Sequence, residues 1–152
     1  MTEITKPRVA VLGGGSFGTV IANLAAGNGC PTTQWLRDAD LVAEMQSTHE
    51  NTRYLKGFQL HESLQFSDDL AQTVSQADLV FVAIPSKAFR QVIQAAKPHF
   101  HAKQMLVSMT KGIEAGTFSL MSQIIREEVP DARLAVLSGP NLAKEIAAKM
   151  PA

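Results

Sequence analysis

Three glycines near the N-terminus follow a short apolar run at the spacing of a phosphate-binding turn. Gly13, Gly15 and Gly18 form a G-x-G-x-x-G pattern directly after residues 9–12, and a helical apolar pattern begins behind them. The first glycine permits a tight turn, the second lets a pyrophosphate approach the backbone, and the third lets the helix pack closely on the strand. The N–H groups at the helix start then face the phosphates. This context predicts dinucleotide binding, and the alternative is a plain glycine turn with an empty helix terminus.

An arginine and an aspartate stand together after a second strand-like segment, residues 32–36. In a dinucleotide-binding fold this strand end meets the adenosine ribose. An acidic side chain there binds the 2′-hydroxyl of NAD, whereas an arginine accommodates the 2′-phosphate of NADP. Asp38 is also placed to cap a helix over residues 39–46. We therefore predict that Arg37 faces a phosphate, that Asp38 is a cap, and that NADPH is favoured over NADH. The alternative for Arg37 is an ordinary surface arginine.

Two further segments after strand-like runs could carry chemistry. Lys111 follows the predicted strand 104–109, where a lysine could hold an anionic substrate, polarise a carbonyl or donate a proton. An ordinary exposed lysine is an equal alternative on position alone. Residues 139–141, which follow the predicted strand 133–137, are typical of a tight turn that opens a helix with Asn141 as its cap. The N–H groups of this turn could bind a phosphate, although simple capping is the stronger interpretation without a family match.

Strands and helices alternate along the whole chain, and this arrangement determines where the candidate site residues lie. Parallel βαβ units in a doubly wound, Rossmann-type α/β sheet are the direct inference, with strand order 3-2-1-4-5-6. Ligands should then lie at the carboxyl ends of the strands, where the first and fourth strands meet. The predicted strands cover residues 9–12, 32–36, 64–66, 77–84, 104–109 and 133–137.

Helix starts and one loop complete the predicted architecture. Ser86 and Thr117 are expected to cap the helices after the fourth and fifth strands. Phe118 and Leu120 are assigned to the apolar face of the second of these helices. The polar, irregular segment 47–59 is interpreted as a loop that could fold over a ligand.

Composition limits the class of protein and of partner. The chain has 152 residues, 45% hydrophobic and 18% charged, which suits one globular domain over residues 1–152. The formal net charge is zero, so nothing suggests a nucleic-acid partner. The apolar runs are far shorter than the ~20 residues of a membrane span. The four histidines and the single cysteine lack metal-ligand spacing. We expect a cytoplasmic protein with no nucleic-acid, membrane or metal partner.

A series of short motifs runs through the chain in order. They are residues 13–19, Trp35-x-Arg37, Asn51 with Tyr54-Leu55, Pro85-Ser86, Thr110-Lys111-Gly112-Ile113-Glu114, Ser138-Gly139-Pro140 and Ala143-Lys144-Glu145. In this order they resemble the bacterial NAD(P)-dependent glycerol-3-phosphate dehydrogenases over essentially the whole chain. The Thr-Lys-Gly-hydrophobic-Glu and Ser-Gly-Pro motifs are much more specific than the glycine pattern.

The resemblance implies an enzyme that interconverts dihydroxyacetone phosphate and sn-glycerol 3-phosphate for glycerophospholipid synthesis. It implies cofactor contacts, with NADPH or NADH, from Ser16, Phe17, Arg37, Tyr54, Lys111 and Ala143. It implies substrate contacts from Lys111, Gly139 and Asn141. Lys111 would be catalytic, because a protonated lysine stabilises or protonates the alkoxide that develops as hydride passes to the ketone carbon.

Members of this family also have a helical second domain, and the resemblance implies that this chain lacks it. We therefore expect cofactor binding with little or no turnover. The apolar surface left exposed should cause some self-association, so a homo-oligomer is possible. Two alternatives are the cofactor domain of a related hydroxy-acid or sugar-nucleotide dehydrogenase, and a non-catalytic nucleotide-sensing module.

Overall fold

The described part of the chain forms one parallel sheet with helices on both faces. A computed structural model describes residues 5–150. The strands are β1 (Val9–Leu12), β2 (Thr32–Trp35), β3 (Gln65–Ser67), β4 (Leu79–Val82), β5 (Met105–Ser108) and β6 (Arg133–Val136). The helices are α1 (Ser16–Gly27), α2 (Ala39–Thr48), α3 (Leu70–Ser75), α4 (Ser86–Ala96), α5 (Met121–Glu128) and α6 (Ala143–Ala147). A short 3₁₀ helix, Lys97–His99, follows α4.

The strand order is β3-β2-β1-β4-β5-β6, and every neighbouring pair is parallel, which confirms the predicted doubly wound sheet. The central strands β1 and β4 pair from Val9 opposite Leu79 to Leu12 opposite Val82. The connections from β1 and from β4 leave in opposite directions across the sheet. Their carboxyl ends therefore open a crevice at the predicted switch point.

Each face of the sheet has its own hydrophobic core. Val9 and Val11 pack into one core with α1 and α2, and Ala10 and Leu12 pack into the other with α4 and α5. Successive side chains of a strand point to opposite faces, so a strand covered on both sides must be apolar throughout. This explains why the first and fourth predicted strands are apolar without alternation.

Most element boundaries lie within one or two residues of their predicted positions, which is the usual uncertainty of element ends. The fourth strand is two residues shorter at each end, since β4 covers only Leu79–Val82, and α2 runs two residues further than predicted. The largest difference is the start of α5, which lies at Met121. Helix α2 ends where His49 adopts a left-handed conformation, with φ of 49°. The predicted loop 47–59 therefore begins only after Thr48.

Three predicted caps are wrong. Ser86 is the first residue of α4 and makes no capping bond, because Pro85 occupies the cap position. The hydroxyl of Thr117 donates instead to the Glu114 carboxylate, at 2.5 Å. Asn141 does not cap α6, which begins only after Leu142.

The assignment of Phe118 and Leu120 to a buried helical face is also wrong. Residues 114–119 form a tight turn, in which the Phe118 N–H donates to the Glu114 carbonyl. Phe118 has φ of 59° and is 74% exposed, and Leu120 is 52% exposed. Helix α5 begins only at Met121, whose side chain is the first of the predicted apolar face to enter the core.

Across residues 5–150, no helix has both the length and the apolar character needed to cross a bilayer. The described part of the chain also holds no group of three His, Cys, Asp or Glu side chains that could ligate a metal ion.

Candidate functional site

The glycine turn between β1 and α1 has the backbone geometry that its sequence predicts. Gly13 has φ of 125°, and a Cβ there would lie 2.3 Å from the Ala83 carbonyl oxygen. A Cβ at Gly18 would lie 2.7 Å from the Gly13 carbonyl oxygen. Both positions therefore need glycine for the fold itself. A Cβ at Gly15 would meet no atom within 4 Å, so Gly15 borders open space.

The start of α1 presents unused hydrogen-bond donors beside that open space. Gly15 is the N-cap and supplies no side chain, and the first helical turn contains no acidic residue. The Thr19 N–H donates to the Gly15 carbonyl at 3.0 Å, so the backbone N–H groups that precede it in α1 have no partner within the helix. These N–H groups and the helix dipole favour an anion at this point.

A cleft of about 740 Å³ opens at the carboxyl ends of β1, β2, β4 and β5. It is lined by eight of the predicted site residues, namely Gly13, Gly15, Ser16, Phe17, Gly18, Arg37, Tyr54 and Lys111. The structure thus brings together residues that are up to 98 positions apart in the sequence, from Gly13 to Lys111. Gly139, Asn141 and Ala143 do not line the cleft.

A buried polar network holds the glycine turn in place through hydrogen bonds to its carbonyl groups. The Gln34 amide nitrogen donates to the Gly13 carbonyl at 2.8 Å and to the Thr19 hydroxyl at 3.0 Å. The Asn51 amide nitrogen donates to the Gly14 carbonyl and to the same hydroxyl, both at 2.9 Å. Gln34, Thr19 and Asn51 are fully buried, so these bonds are shielded from water. From the sequence alone, Asn51 was noted only as part of the motif with Tyr54 and Leu55, and no role was assigned to Gln34.

The segment after α2 is a compact loop packed against the glycine turn. The Asn51 side-chain oxygen accepts from the Tyr54 N–H at 3.0 Å, and Leu55 is buried beneath it. Glu50 pairs with Gln59 in an antiparallel bridge, and the Glu50 carboxylate accepts from the Gly57 N–H at 2.7 Å. These contacts place the half-exposed Tyr54 at the cleft without any ligand.

Asp38 caps α2 as predicted, and it has a second partner that the sequence did not indicate. One carboxylate oxygen accepts from the Leu41 N–H at 3.1 Å, and the other accepts from Arg53 at 2.5 Å. The hydrogen bond from Arg53, followed by the cap bond from Leu41, lowers the pKa of Asp38 below its ordinary value. Arg37 beside it is exposed and has no ion-pair partner within residues 5–150. Arg53 also lines the cleft.

Lys111 joins the cleft to the turn after β6. Its ammonium donates to the Gly139 carbonyl at 2.6 Å, and the Asn141 N–H donates to the same carbonyl at 2.9 Å. The preceding Thr110 hydroxyl donates to the Ile84 carbonyl at 2.7 Å, which fixes the end of β5 beside β4. The structure therefore brings Gly139 and Asn141 next to Lys111, which lines the cleft, although neither of them lines the cleft itself.

An arginine with three carboxylate partners holds the segment that follows Lys111. Arg90 on α4 donates to both oxygens of Glu114, at 2.7 and 2.8 Å. It also contacts Glu127 and Glu128 on α5, at 2.7 and 2.8 Å. The Arg90 hydrogen bonds, with a smaller contribution from Thr117, lower the pKa of Glu114 to about 2. This network was not predicted, because its members come from three separate segments.

Comparison with known proteins agrees with the geometry. Residues 8–152 match a family described as NAD-dependent glycerol-3-phosphate dehydrogenase N-terminus. A glycerol-3-phosphate dehydrogenase (NAD(P)+) of Acinetobacter baumannii strain SDF is 57% identical over 147 residues, which are 97% of this chain and 41% of that protein.

Solved structures show the same relationship. The glycerol-3-phosphate dehydrogenase of Coxiella burnetii superposes with a TM-score of 0.91 at 35% identity, over 97% of this chain and 45% of that one. The glycerol-3-phosphate dehydrogenase of Saccharomyces cerevisiae gives a TM-score of 0.84 at 29% identity, over 95% and 45%. The chain thus spans less than half the length of these relatives. It belongs to the NAD-dependent glycerol-3-phosphate dehydrogenase family, and it matches the N-terminal part of that family.

Proposed function

We propose that the cleft binds a nicotinamide dinucleotide and that the chain is the cofactor-binding part of an NAD(P)-dependent glycerol-3-phosphate dehydrogenase. The observation that carries the proposal is the open space at the Gly15 Cβ position, beside the first N–H groups of α1, which have no partner within the helix. A pyrophosphate fits there, because the backbone can donate to it at close range and no side chain is in the way. Ser16 and Phe17, the first residues of the helix, would contact it.

We infer that NADPH is favoured over NADH. The Asp38 carboxylate is engaged by Leu41 and Arg53, so it has less capacity to accept from a ribose 2′-hydroxyl. Arg37 lies next to it on the cleft wall and is available for a 2′-phosphate. An arginine guanidinium matches the geometry of a phosphate with two parallel hydrogen bonds. Tyr54 would pack against the cofactor from the loop that follows α2, residues 49–60 (the 49–60 loop).

We propose dihydroxyacetone phosphate and sn-glycerol 3-phosphate as the substrates, in the service of glycerophospholipid synthesis. The bound reduced cofactor would supply hydride for a ketone carbon. Lys111 is the catalytic candidate of this chain, since its ammonium can donate a proton or a hydrogen bond to an oxygen that gains negative charge. Its contact with the Gly139 carbonyl supports placing the substrate beside Gly139 and Asn141. Ala143 would approach the cofactor from the start of α6.

We also propose that the protein acts in the cytoplasm and that it forms a homo-oligomer.

Family membership supports the glycerol phosphate reaction over a hydroxy-acid or sugar-nucleotide substrate. The bond between Lys111 and the Gly139 carbonyl supports an enzyme over a nucleotide sensor, because a sensor does not need the 139–141 turn beside a cleft residue. We expect this chain alone to reduce little or no dihydroxyacetone phosphate. Steady reduction by the isolated chain would contradict that expectation.

The test is titration of the chain with NADPH and with NADH, followed by nicotinamide fluorescence or by heat. Arg37→Ala should weaken NADPH binding by about tenfold, the loss of one charge-assisted contact, and leave NADH binding nearly unchanged. Arg133→Ala, which removes an exposed arginine at the amino end of β6, is the control and should change neither. If neither cofactor binds the natural chain, the proposal that this cleft binds a nicotinamide dinucleotide fails. Equal loss of both cofactors in Arg37→Ala would refute the 2′-phosphate assignment.

A further inference from the structure

Where the cleft meets the end of β2, it is lined by the Arg53–Asp38 ion pair and by Arg37, which has no ion-pair partner within residues 5–150. Arg53 and Asp38 are joined at 2.5 Å, and their side chains are 47% and 43% exposed. Arg37, Asp38 and Arg53 all line the cleft. Two positive charges and one negative charge thus surround the point where the second strand ends.

The negative charge of Asp38 has opposite consequences for the two cofactors. A free carboxylate at this strand end accepts from the ribose 2′-hydroxyl and therefore helps NADH. The same carboxylate repels a 2′-phosphate, which carries close to two negative charges at neutral pH. In this structure the carboxylate is not free, because Arg53 occupies the oxygen that the helix cap leaves open.

We propose that Arg53 is a specificity-determining residue, which favours NADPH by holding the Asp38 carboxylate away from the ribose and offsetting its charge. The inference rests on the proposed cofactor site and goes beyond it, since it assigns the preference to a pair rather than to Arg37 alone. Arg53 acts through Asp38 and is in that sense a positioning residue. Its place is set by the 49–60 loop, which Asn51 ties to the glycine turn.

The pair is suited to mutation because it contributes little to the fold. Exposed ion pairs typically contribute little to stability, so variants at Arg53 should fold. Asn is as good a helix cap as Asp, so Asp38→Asn removes the charge and keeps the bond to Leu41. A matched control lies at the opposite edge of the sheet, where Arg8 and Asp78 form an ion pair at 3.1 Å with side chains 57% and 47% exposed.

The experiment measures the dissociation constants of NADPH and NADH for the 152-residue chain and four variants. Arg53→Ala should weaken NADPH by about tenfold while NADH binds equally or more tightly. Adding Asp38→Asn to Arg53→Ala should restore NADPH affinity to within about threefold of the natural chain and cancel any gain in NADH. Arg53→Lys should keep most of the preference, and Arg8→Ala should leave both constants unchanged. Circular dichroism checks that each variant is folded.

Each other outcome overturns the inference in a recognisable way. If Arg53→Ala weakens both cofactors equally, Arg53 does not set the preference. If Asp38→Asn does not restore NADPH binding, Arg53 does not act through Asp38. If Arg53→Ala changes neither constant, the pair has no role at the ribose. If the natural chain binds neither cofactor, the proposed function fails and this inference fails with it.

Discussion

Two glycines of the same turn should respond to alanine in opposite ways, because the structure gives them different roles. Gly13 has a backbone conformation that only glycine adopts readily, and its Cβ position overlaps the Ala83 carbonyl. Gly15 has φ of −72° and ψ of 173°, an extended conformation that alanine also adopts, and its Cβ position is empty. We therefore predict that Gly13→Ala destabilises the fold, whereas Gly15→Ala impairs only ligand binding.

The expected magnitudes follow from these two geometries. At Gly13, an unfavourable backbone conformation costs about 1–3 kcal/mol. Moving the Ala83 backbone away from a Cβ at 2.3 Å adds a similar amount. A total near 4 kcal/mol lowers the unfolding midpoint by roughly 8–16 °C in a domain of this size. At Gly15, the poorer cap and the stiffer unfolded chain have opposite effects of about 0.5–1 kcal/mol each, so they nearly cancel.

Thermal unfolding followed by circular dichroism, together with NADPH titration, separates the two effects. Gly15→Ala should melt within about 3 °C of the natural chain and bind NADPH at least about tenfold more weakly, because its methyl group takes the place of the pyrophosphate. If Gly15→Ala melts as early as Gly13→Ala, Gly15 is a structural glycine. If it binds NADPH normally, the phosphate does not lie over this residue.

Three further predictions test the loop, an ion pair and the exposed apolar surface. Asn51→Ala should lower the free energy of unfolding by about 2–3 kcal/mol, because it leaves buried partners without a hydrogen bond. It should also speed proteolysis within residues 52–58. Unchanged proteolysis would mean that Asn51 does not hold the loop. Arg90 holds the pKa of Glu114 at about 2, below its ordinary value of 4.5. The Glu114 carboxylate therefore stabilises the fold above pH ~4.5, and this effect is lost as the pH falls towards 2. The midpoint of the natural chain should therefore fall more steeply between about pH 5 and pH 2 than that of Glu114→Gln, and parallel curves would show that the pair is not linked to stability. Val136 and Leu142 are 60% and 59% exposed, so light scattering should detect self-association that weakens when both are changed to lysine; a monomer at high concentration would contradict this.

The fold was predictable because its signals are local and repeated. The apolar runs of β1 and β4 and the glycine pattern between β1 and α1 each follow from neighbouring residues. Once strands and helices alternate, the handedness of parallel connections restricts the strand order to few choices. The carboxyl edge of the sheet, and with it the cleft, then follows from topology.

The errors lie where the chain turns tightly and local signals conflict. Thr117, followed by Phe118 and Leu120, has the pattern of a capped helix. The turn formed by residues 114–119 satisfies the Thr117 hydroxyl through Glu114 and turns Phe118 outward. The position of that turn depends on Arg90, which comes from a different helix. A helical period cannot report such a contact.

By itself, the sequence determined the sheet, the glycine turn and the cap at Asp38, since each depends on residues a few positions apart. Only the tertiary structure decided which polar side chains meet. Gln34 and Asn51 meet at the glycine turn, and Arg53 meets Asp38, because separate segments pack at the same edge. Hydrogen bonds and ion pairs act over only a few ångströms, so their partners are defined by the folded chain and leave no periodic pattern in the sequence.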